Sequence, residues 1–191
     1  ISKIMEEINI KYFLPDIQRP YVWTPEQIYA LYDSIMRGYP ISTFLFWEAP
    51  ANIIDTLTPR YEFLTANKKE YIDKVNTDMK KEIYSLVLDG QQRLTTLFLL
   101  HFFIALKEKR LNEVSKILKR FAYETRPSAH DFCEKLLQME EVENISNLKY
   151  EIENSQWFSD SWKNDPTIAG MVQVLNSFSE NTTLTESKND L

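Results

Sequence analysis

The sequence predicts an α+β fold: a small mixed β-sheet with packed helices, followed by a helical C-terminal part. Three observations carry that expectation. The apolar runs at 11–14 and 83–88 each break off at once into polar turn residues. Helix-start signals stand at Thr24-Pro25 and Asp165-Pro166, ahead of apolar residues at helical spacing. From Ser128 onward the signals are helical. At 43% hydrophobic and 13% aromatic over 191 residues, the chain holds ample apolar surface for a core.

Taken in order, Lys11-Tyr12-Phe13-Leu14 reads as a short strand, ended by Pro15 and the turn-like Asp16-Ile17-Gln18-Arg19-Pro20. Thr24 is a natural N-cap, Pro25 suits the first helical position and Gln27 completes a capping box. Trp23 and Ile28 are placed to form a hydrophobic staple. Ile28, Leu31, Tyr32, Ile35 and Met36 keep one apolar stripe, and Gly38 with Pro40 stops the helix. Thr43-Phe44-Leu45-Phe46-Trp47 reads as a buried strand, Tyr61-Glu62-Phe63-Leu64 as another, and 66–81 as a surface insertion. The strand 83–88 precedes a helix expected from about Gly90 to Arg110. Arg120-Phe121-Ala122-Tyr123-Glu124 suggests one more strand. Ser128 is read as a cap, as is Asp165 before Ile168, Met171, Val172 and Leu175. The expected organisation is an α+β domain over 1–126, a helical extension over 127–178 and a polar, frayed tail over 179–191. A chain that opens at Ile1 and closes on such a tail is expected to be part of a longer protein.

The most informative residues are Asp89-Gly90-Gln91-Gln92-Arg93, polar positions wedged between an apolar strand and an apolar helix. A helix start presents unpaired N–H groups and the positive end of the macrodipole, a seat for an anion. Gly90 would let a ligand approach the backbone, and Arg93 adds a fork of donors suited to phosphate. A plainer reading makes Asp89 an N-cap with Gln92 closing a capping box. Capping leaves Gln91 and Arg93 without a reason, and both readings stand at this point.

Composition narrows the classes. The single Cys133 permits no internal disulfide and fits a reducing compartment. The apolar 97–106 run falls short of the ~20 residues that span a bilayer; a soluble, cytoplasmic protein is expected. A net charge of −6 argues against a free-standing, non-specific nucleic-acid binder. Lys107, Lys109, Arg110, Lys116, Lys119 and Arg120 form one basic stretch that could meet a polyanion, and the plainer reading, a solvated helix face, is preferred. His101, His130 and Cys133 give no metal-ligand spacing, so no metal site is assigned, and His101 reads as a core histidine.

A second polar island, Gln18-Arg19-Pro20-Tyr21 with Trp23 behind it, suits a phosphate clamp beside a stacking surface. Packing of Tyr21 and Trp23 into the core is the plainer account, preferred for Trp23. Together, Gln18-Arg19-Pro20-Tyr21-Val22-Trp23 and, about seventy residues on, Leu88-Asp89-Gly90-Gln91-Gln92-Arg93-Leu94-Thr95-Thr96-Leu97 resemble the N-terminal domain of GmrSD-type, modification-dependent restriction endonucleases, of the ParB/sulfiredoxin-like superfamily. Tyr123-Glu124-Thr125-Arg126, and Trp162 before Asp165-Pro166, look like further features of that family.

The resemblance implies a ParB-like, nucleotide-binding domain that hydrolyses a nucleoside triphosphate, accompanied by Mg2+. It would control DNA cleavage in phage defence by a nuclease domain absent from this chain. Asp89, Gln91, Gln92 and Arg93 would be catalytic, and Gln18, Arg19, Tyr21, Gly90, Arg93 and Thr95 would bind nucleotide. Arg19 and Gln18 should then share one pocket with Asp89, Gln91 and Arg93, and replacing Arg93 should cost binding while sparing the fold. The sulfiredoxin branch has a cysteine where Gln91 and Gln92 stand here, so thiol chemistry is not expected. A non-catalytic module that senses nucleotide or DNA would need the same anion seat.

Overall fold

The apolar run ending at Asp89 forms the strand on which the sheet is built. In a computed structural model of the chain, residues 7–8, 11–15, 21–50, 60–61, 83–119, 127–139, 142 and 144–180 are described. Their strands are β1 (Tyr12–Pro15), β2 (Leu45–Pro50), β3 (Arg60–Tyr61) and β4 (Ile83–Asp89), in the order β2-β4-β1-β3. β4 runs parallel to β1, with Tyr12 opposite Ser85 and Phe13 opposite Leu86. It runs antiparallel to β2, with a register shift between Leu45 and Phe46, and β3 pairs antiparallel with β1. The sheet is therefore mixed, as expected. Because β1 and β4 are parallel neighbours, the chain leaves both at the same edge of the sheet.

The strand expected over 43–47 starts at Leu45 and continues to Pro50. It is not buried: β2 lies at the edge of the sheet and Leu45 is 57% exposed. An apolar run alone does not tell an edge strand from a central one. Pro50, which has no N–H to donate, is tolerated at such an edge.

The helices are α1 (Pro25–Met36), α2 (Gln91–Lys107), α3 (Leu111–Leu118), α4 (Pro127–Leu136), α5 (Leu148–Glu153) and α6 (Pro166–Glu180), with 3-10 turns at Ile145–Asn147 and Asp160–Asn164. α1 begins as expected, the Thr24 N–H donating to Gln27 Oε1 at 3.0 Å. It ends where Gly38 turns left-handed at φ 68°. There the Gly38 N–H reaches the Ile35 carbonyl and the Tyr39 N–H the Ser34 carbonyl, a Schellman closure.

α2 stops at Lys107, short of Arg110. Lys109 adopts φ 55°, and the N–H groups of Lys109 and Arg110 fold back on the carbonyls of Leu106 and Ala105 in a second such closure. The basic stretch is thereby split between two helices. Arg110 forms ion pairs with Glu108 and Glu113 in a mostly solvated setting, in keeping with a solvated face.

α6 begins as read, Asp165 Oδ1 accepting from the N–H groups of Thr167 and Ile168 at 2.8 and 3.3 Å. Ser128 is not a cap: α4 starts at Pro127, and the Ser128 hydroxyl donates to Asp165 Oδ2 at 2.6 Å. Ser179 and Glu180, expected in the tail, belong to α6.

One core joins the sheet to the helical part. α2 buries Leu94, Phe98, Phe102 and Phe103, and Phe103 meets Phe178 of α6 with ring centroids 5.8 Å apart. Phe132 of α4 sits among Trp157, Phe158 and Trp162. Each fully buried side chain of this size contributes about 2–3 kcal/mol of transfer free energy. Cys133 is wholly buried, and that burial pushes its thiol up to about 12. His101 is only half-buried rather than a core residue, and desolvation lowers its pKa. No helix among the described residues is long and apolar enough to cross a membrane. The readings for 16–20, 62–64, 66–81, 120–126 and 181–191 lie outside the described residues.

Candidate functional site

β4 hands over to α2 through a single residue, Gly90, at φ 105° and ψ 2°. Left-handed backbone there turns the chain sharply from sheet to helix. Its lost Cβ has a second consequence: a Cβ would lie 2.3 and 2.7 Å from Cδ1 and Cε1 of Phe44. The space that Gly90 was expected to open to a ligand is therefore occupied by the Phe44 ring. Asp89 ends β4 and is not the N-cap of α2, a position that belongs to Gly90. Its carboxylate, 62% exposed, instead accepts from Arg93 Nη2 at 2.8 Å.

Arg93 is buried and multiply engaged. Nη2 also donates to the Thr43 carbonyl, Nη1 donates to the Ile41 carbonyl at 3.3 Å, and the guanidinium lies 4.9 Å from the centre of the Phe44 ring. These bonds take three of its five N–H donors. Arg93 thus clamps residues 41–44 to the start of α2, a task that needs a planar fork rather than a point charge.

The two sequence islands meet. Gln92 Oε1 accepts from the Val22 N–H at 2.9 Å, and the Tyr21 hydroxyl lies 2.7 Å from Thr96 Oγ1. Thr96 gives its single proton to the Gln92 carbonyl, so Tyr21 donates to Thr96. Tyr21 is 1% exposed, and a Cβ on Gly170 of α6 would come within 2.9 Å of its ring. It ties the helical part to α2 from inside the core. Thr95 is likewise buried, its hydroxyl on the Gln91 carbonyl. Gln18 and Arg19 lie outside the described residues.

Beside this junction is a cavity of about 650 Å³. Its floor is the turn from Leu88 to Arg93; its walls are Trp23, the Gln27, Ala30, Leu31 and Ser34 face of α1, and the strap Pro40-Ile41-Ser42. Ser42, at φ 74°, is a non-glycine residue in left-handed backbone. Gln91 reaches the cavity while its Nε2 donates to the Val87 carbonyl at 3.0 Å, which leaves the amide oxygen as its acceptor. The cavity thus gathers Asp89, Gly90, Gln91, Gln92 and Arg93, whereas Tyr21 and Thr95 are absent from its lining. Trp23, assigned by sequence to the core, packs against it and lines the cavity as well.

Sequence reasoning missed the strap and the α1 wall. The signal was present: Gln27, Ala30, Leu31 and Ser34 fall at helical spacing, and Gly38 with Pro40 reverses the chain over them. A separate group, His130, Asp131 and Glu134 of α4, brings three potential ligand atoms within 4.8 Å of one another, although sequence spacing suggested no metal site. None of the three lines the cavity.

A mixed sheet whose strand end, glycine turn and helix start floor a cavity places the chain among α+β domains with a built-in site. The chain matches the family described as GmrSD restriction endonuclease, N-terminal domain, over residues 1–190, and it belongs to that family. It is also similar to an uncharacterised protein of Methanocaldococcus jannaschii, 40% identical over 85 residues. That stretch covers 44% of this chain and 13% of the relative's length. No solved structure matches.

Proposed function

We propose that the cavity floored by residues 88–93 seats the phosphates of a nucleoside triphosphate, and that its hydrolysis licenses DNA cleavage by a nuclease domain outside this chain. The observation that carries this reading is the convergence of Asp89, Gln91 and the glycine turn on one cavity at a helix start. Family membership supports the setting, restriction of DNA in defence against phage.

Within this reading the roles divide among the residues of the turn. Asp89 offers the exposed carboxylate that would hold Mg2+ or orient water. Gln91 keeps an amide oxygen able to accept from an attacking water. Gln92 and Arg93 hold the neighbouring segments and act as positioning residues. Asp89 and Arg93 nearly cancel in charge, so roughly three to four phosphate charges require further cations. Mg2+ and Arg19, which follows β1 in sequence, are the proposed sources.

Phosphate release by the 191-residue chain, with Mg2+ and with or without DNA, tests hydrolysis, while calorimetric titration tests binding. Binding with no turnover in either condition would assign the domain to nucleotide sensing alone. Absence of binding to any nucleoside triphosphate would remove both.

A further inference from the structure

The more accessible of the two charges in the cavity beside β4 is negative. Among the described residues that line it, only Asp89 and Arg93 are charged. The Asp89 side chain is 62% exposed and that of Arg93 only 9%. A polyanion entering the cavity therefore meets a solvated carboxylate, while the cation that would receive it is buried and already paired to that carboxylate at 2.8 Å.

The partners of Arg93 are not equally replaceable. Nη1 donates to the Ile41 carbonyl, and the two hydrogens of Nη2 go to the Thr43 carbonyl and to Asp89. The two carbonyls belong to the backbone that Arg93 clamps to the helix start, so their loss would free the strap. Asp89 is a mostly exposed side chain, and an ion pair so open to solvent is held weakly. Its place on Nη2 is the one that a phosphate oxygen takes over with the clamp intact.

We propose that Asp89 is a charge gate on the phosphate seat. In the empty site it occupies the Arg93 donor, and it yields that donor to a phosphate oxygen when its carboxylate turns to a divalent cation. The inference rests on the phosphate reading above and adds the regulation of that site: a metal-free polyphosphate is turned away, and its divalent-cation complex is admitted. Without the cation, phosphate has to displace Asp89 and then lie beside it, like charges side by side in one cavity. With the cation, the carboxylate has an oxygen-seeking partner of its own and Arg93 exchanges one anion for another.

Calorimetric titration of the 191-residue chain with inorganic tripolyphosphate, in EDTA and in excess Mg2+, tests the gate on the parent and on Asp89→Asn. Asparagine keeps an oxygen that accepts from Nη2 and removes only the charge. In EDTA, Asp89→Asn should bind about three- to tenfold more tightly than the parent, a gain that shrinks as salt is raised. In Mg2+ the order should reverse, because only the parent keeps the carboxylate for the cation. Asp131→Asn, at a 64% exposed aspartate outside the cavity, makes the same change in net charge and should alter neither affinity. No gain of Asp89→Asn over the parent in EDTA, an unreversed order in Mg2+, or an equal gain from Asp131→Asn would overturn the gate while the parent's binding in Mg2+ upholds the phosphate seat. Absence of binding by both chains in both conditions would overturn the seat, and the gate with it.

Discussion

Two helix starts in this molecule begin alike in sequence and end in opposite arrangements. Asp165 precedes α6 and turns its carboxylate onto the helix, accepting from the N–H groups of Thr167 and Ile168 and from the Ser128 hydroxyl. Asp89 precedes α2 by the same logic, yet Gly90 intervenes in left-handed backbone and the Asp89 carboxylate goes to Arg93. The first start is closed by its own side chain and lies in a packed region. The second has no side-chain cap and faces a cavity. An aspartate before a helix marks a cap only when the backbone between them lets it fold back.

The largest effect that would break this comparison is at Arg93. With its fork on two backbone carbonyls and Asp89, Arg93→Ala should cost about 3 kcal/mol, because those acceptors lose a buried, charged partner. Arg93→Lys should recover only part, since an ammonium cannot span both carbonyls. Denaturant unfolding measures both variants. Parental stability for Arg93→Ala would return the residue to the role read from sequence, a phosphate ligand whose loss spares the fold.

Next in size is Gly90→Ala, expected to cost about 2–3 kcal/mol from a left-handed alanine pressed against Phe44. Adding Phe44→Ala should relieve the steric part and leave the conformational part, a coupling that a double-mutant cycle on unfolding free energies resolves. Simple additivity would mean that the ring already yields to the new methyl group.

A smaller, sharper contrast lies in the two aspartates themselves. Asp165→Asn should lose well under about 1 kcal/mol, because asparagine caps nearly as well, whereas Asp165→Ala should lose about 1–2 kcal/mol. Asp89→Asn should also stay within about 1 kcal/mol of the parent, since its ion pair is largely exposed on the acid side. The two asparagine variants part company in phosphate release: only Asp89→Asn should abolish it. Full turnover in a well-folded Asp89→Asn chain would deprive Asp89 of its proposed role.

Much of the fold was legible because its signals are local. The box at Thr24 and Gln27, the cap at Asp165 and the stripe Ile168, Met171, Val172 and Leu175 each depend on neighbours within one or two turns. The two polar islands were expected to share one pocket, and the parallel pairing of β1 with β4 carries the ends of both strands to one edge of the sheet. Long-range chemistry was less legible. Nothing near Arg93 in sequence says that its partners are the carbonyls of Ile41 and Thr43, or that Phe44 fills the space beside Gly90. Backbone carbonyls are anonymous in a sequence, so a buried arginine held by them reads like one awaiting an anion. Tyr21 was misleading for a related reason: its aromatic ring suited a stacking wall, while the Thr96 hydroxyl that fixes it in the core lies 75 residues away.

The smallest effect concerns helix ends and isolates the backbone contribution at Gly90. α1 and α2 finish with the same pair of returning hydrogen bonds, but the left-handed residue is Gly38 in one and Lys109 in the other. A side chain in that conformation is disfavoured by contact of Cβ with the backbone, partly offset by the greater entropy that glycine loses on folding. Lys109→Gly should therefore stabilise the chain by roughly 0.5–1 kcal/mol. Gly38→Ala should cost a similar amount, since nothing lies within 4 Å of its new Cβ and only the backbone resists. Thermal unfolding of the two variants gives this conformational cost twice, with opposite sign. Subtracting it from the loss at Gly90→Ala leaves the share due to Phe44. A Gly90→Ala loss no larger than that at Gly38 would mean that the Phe44 ring moves aside when the methyl group is added.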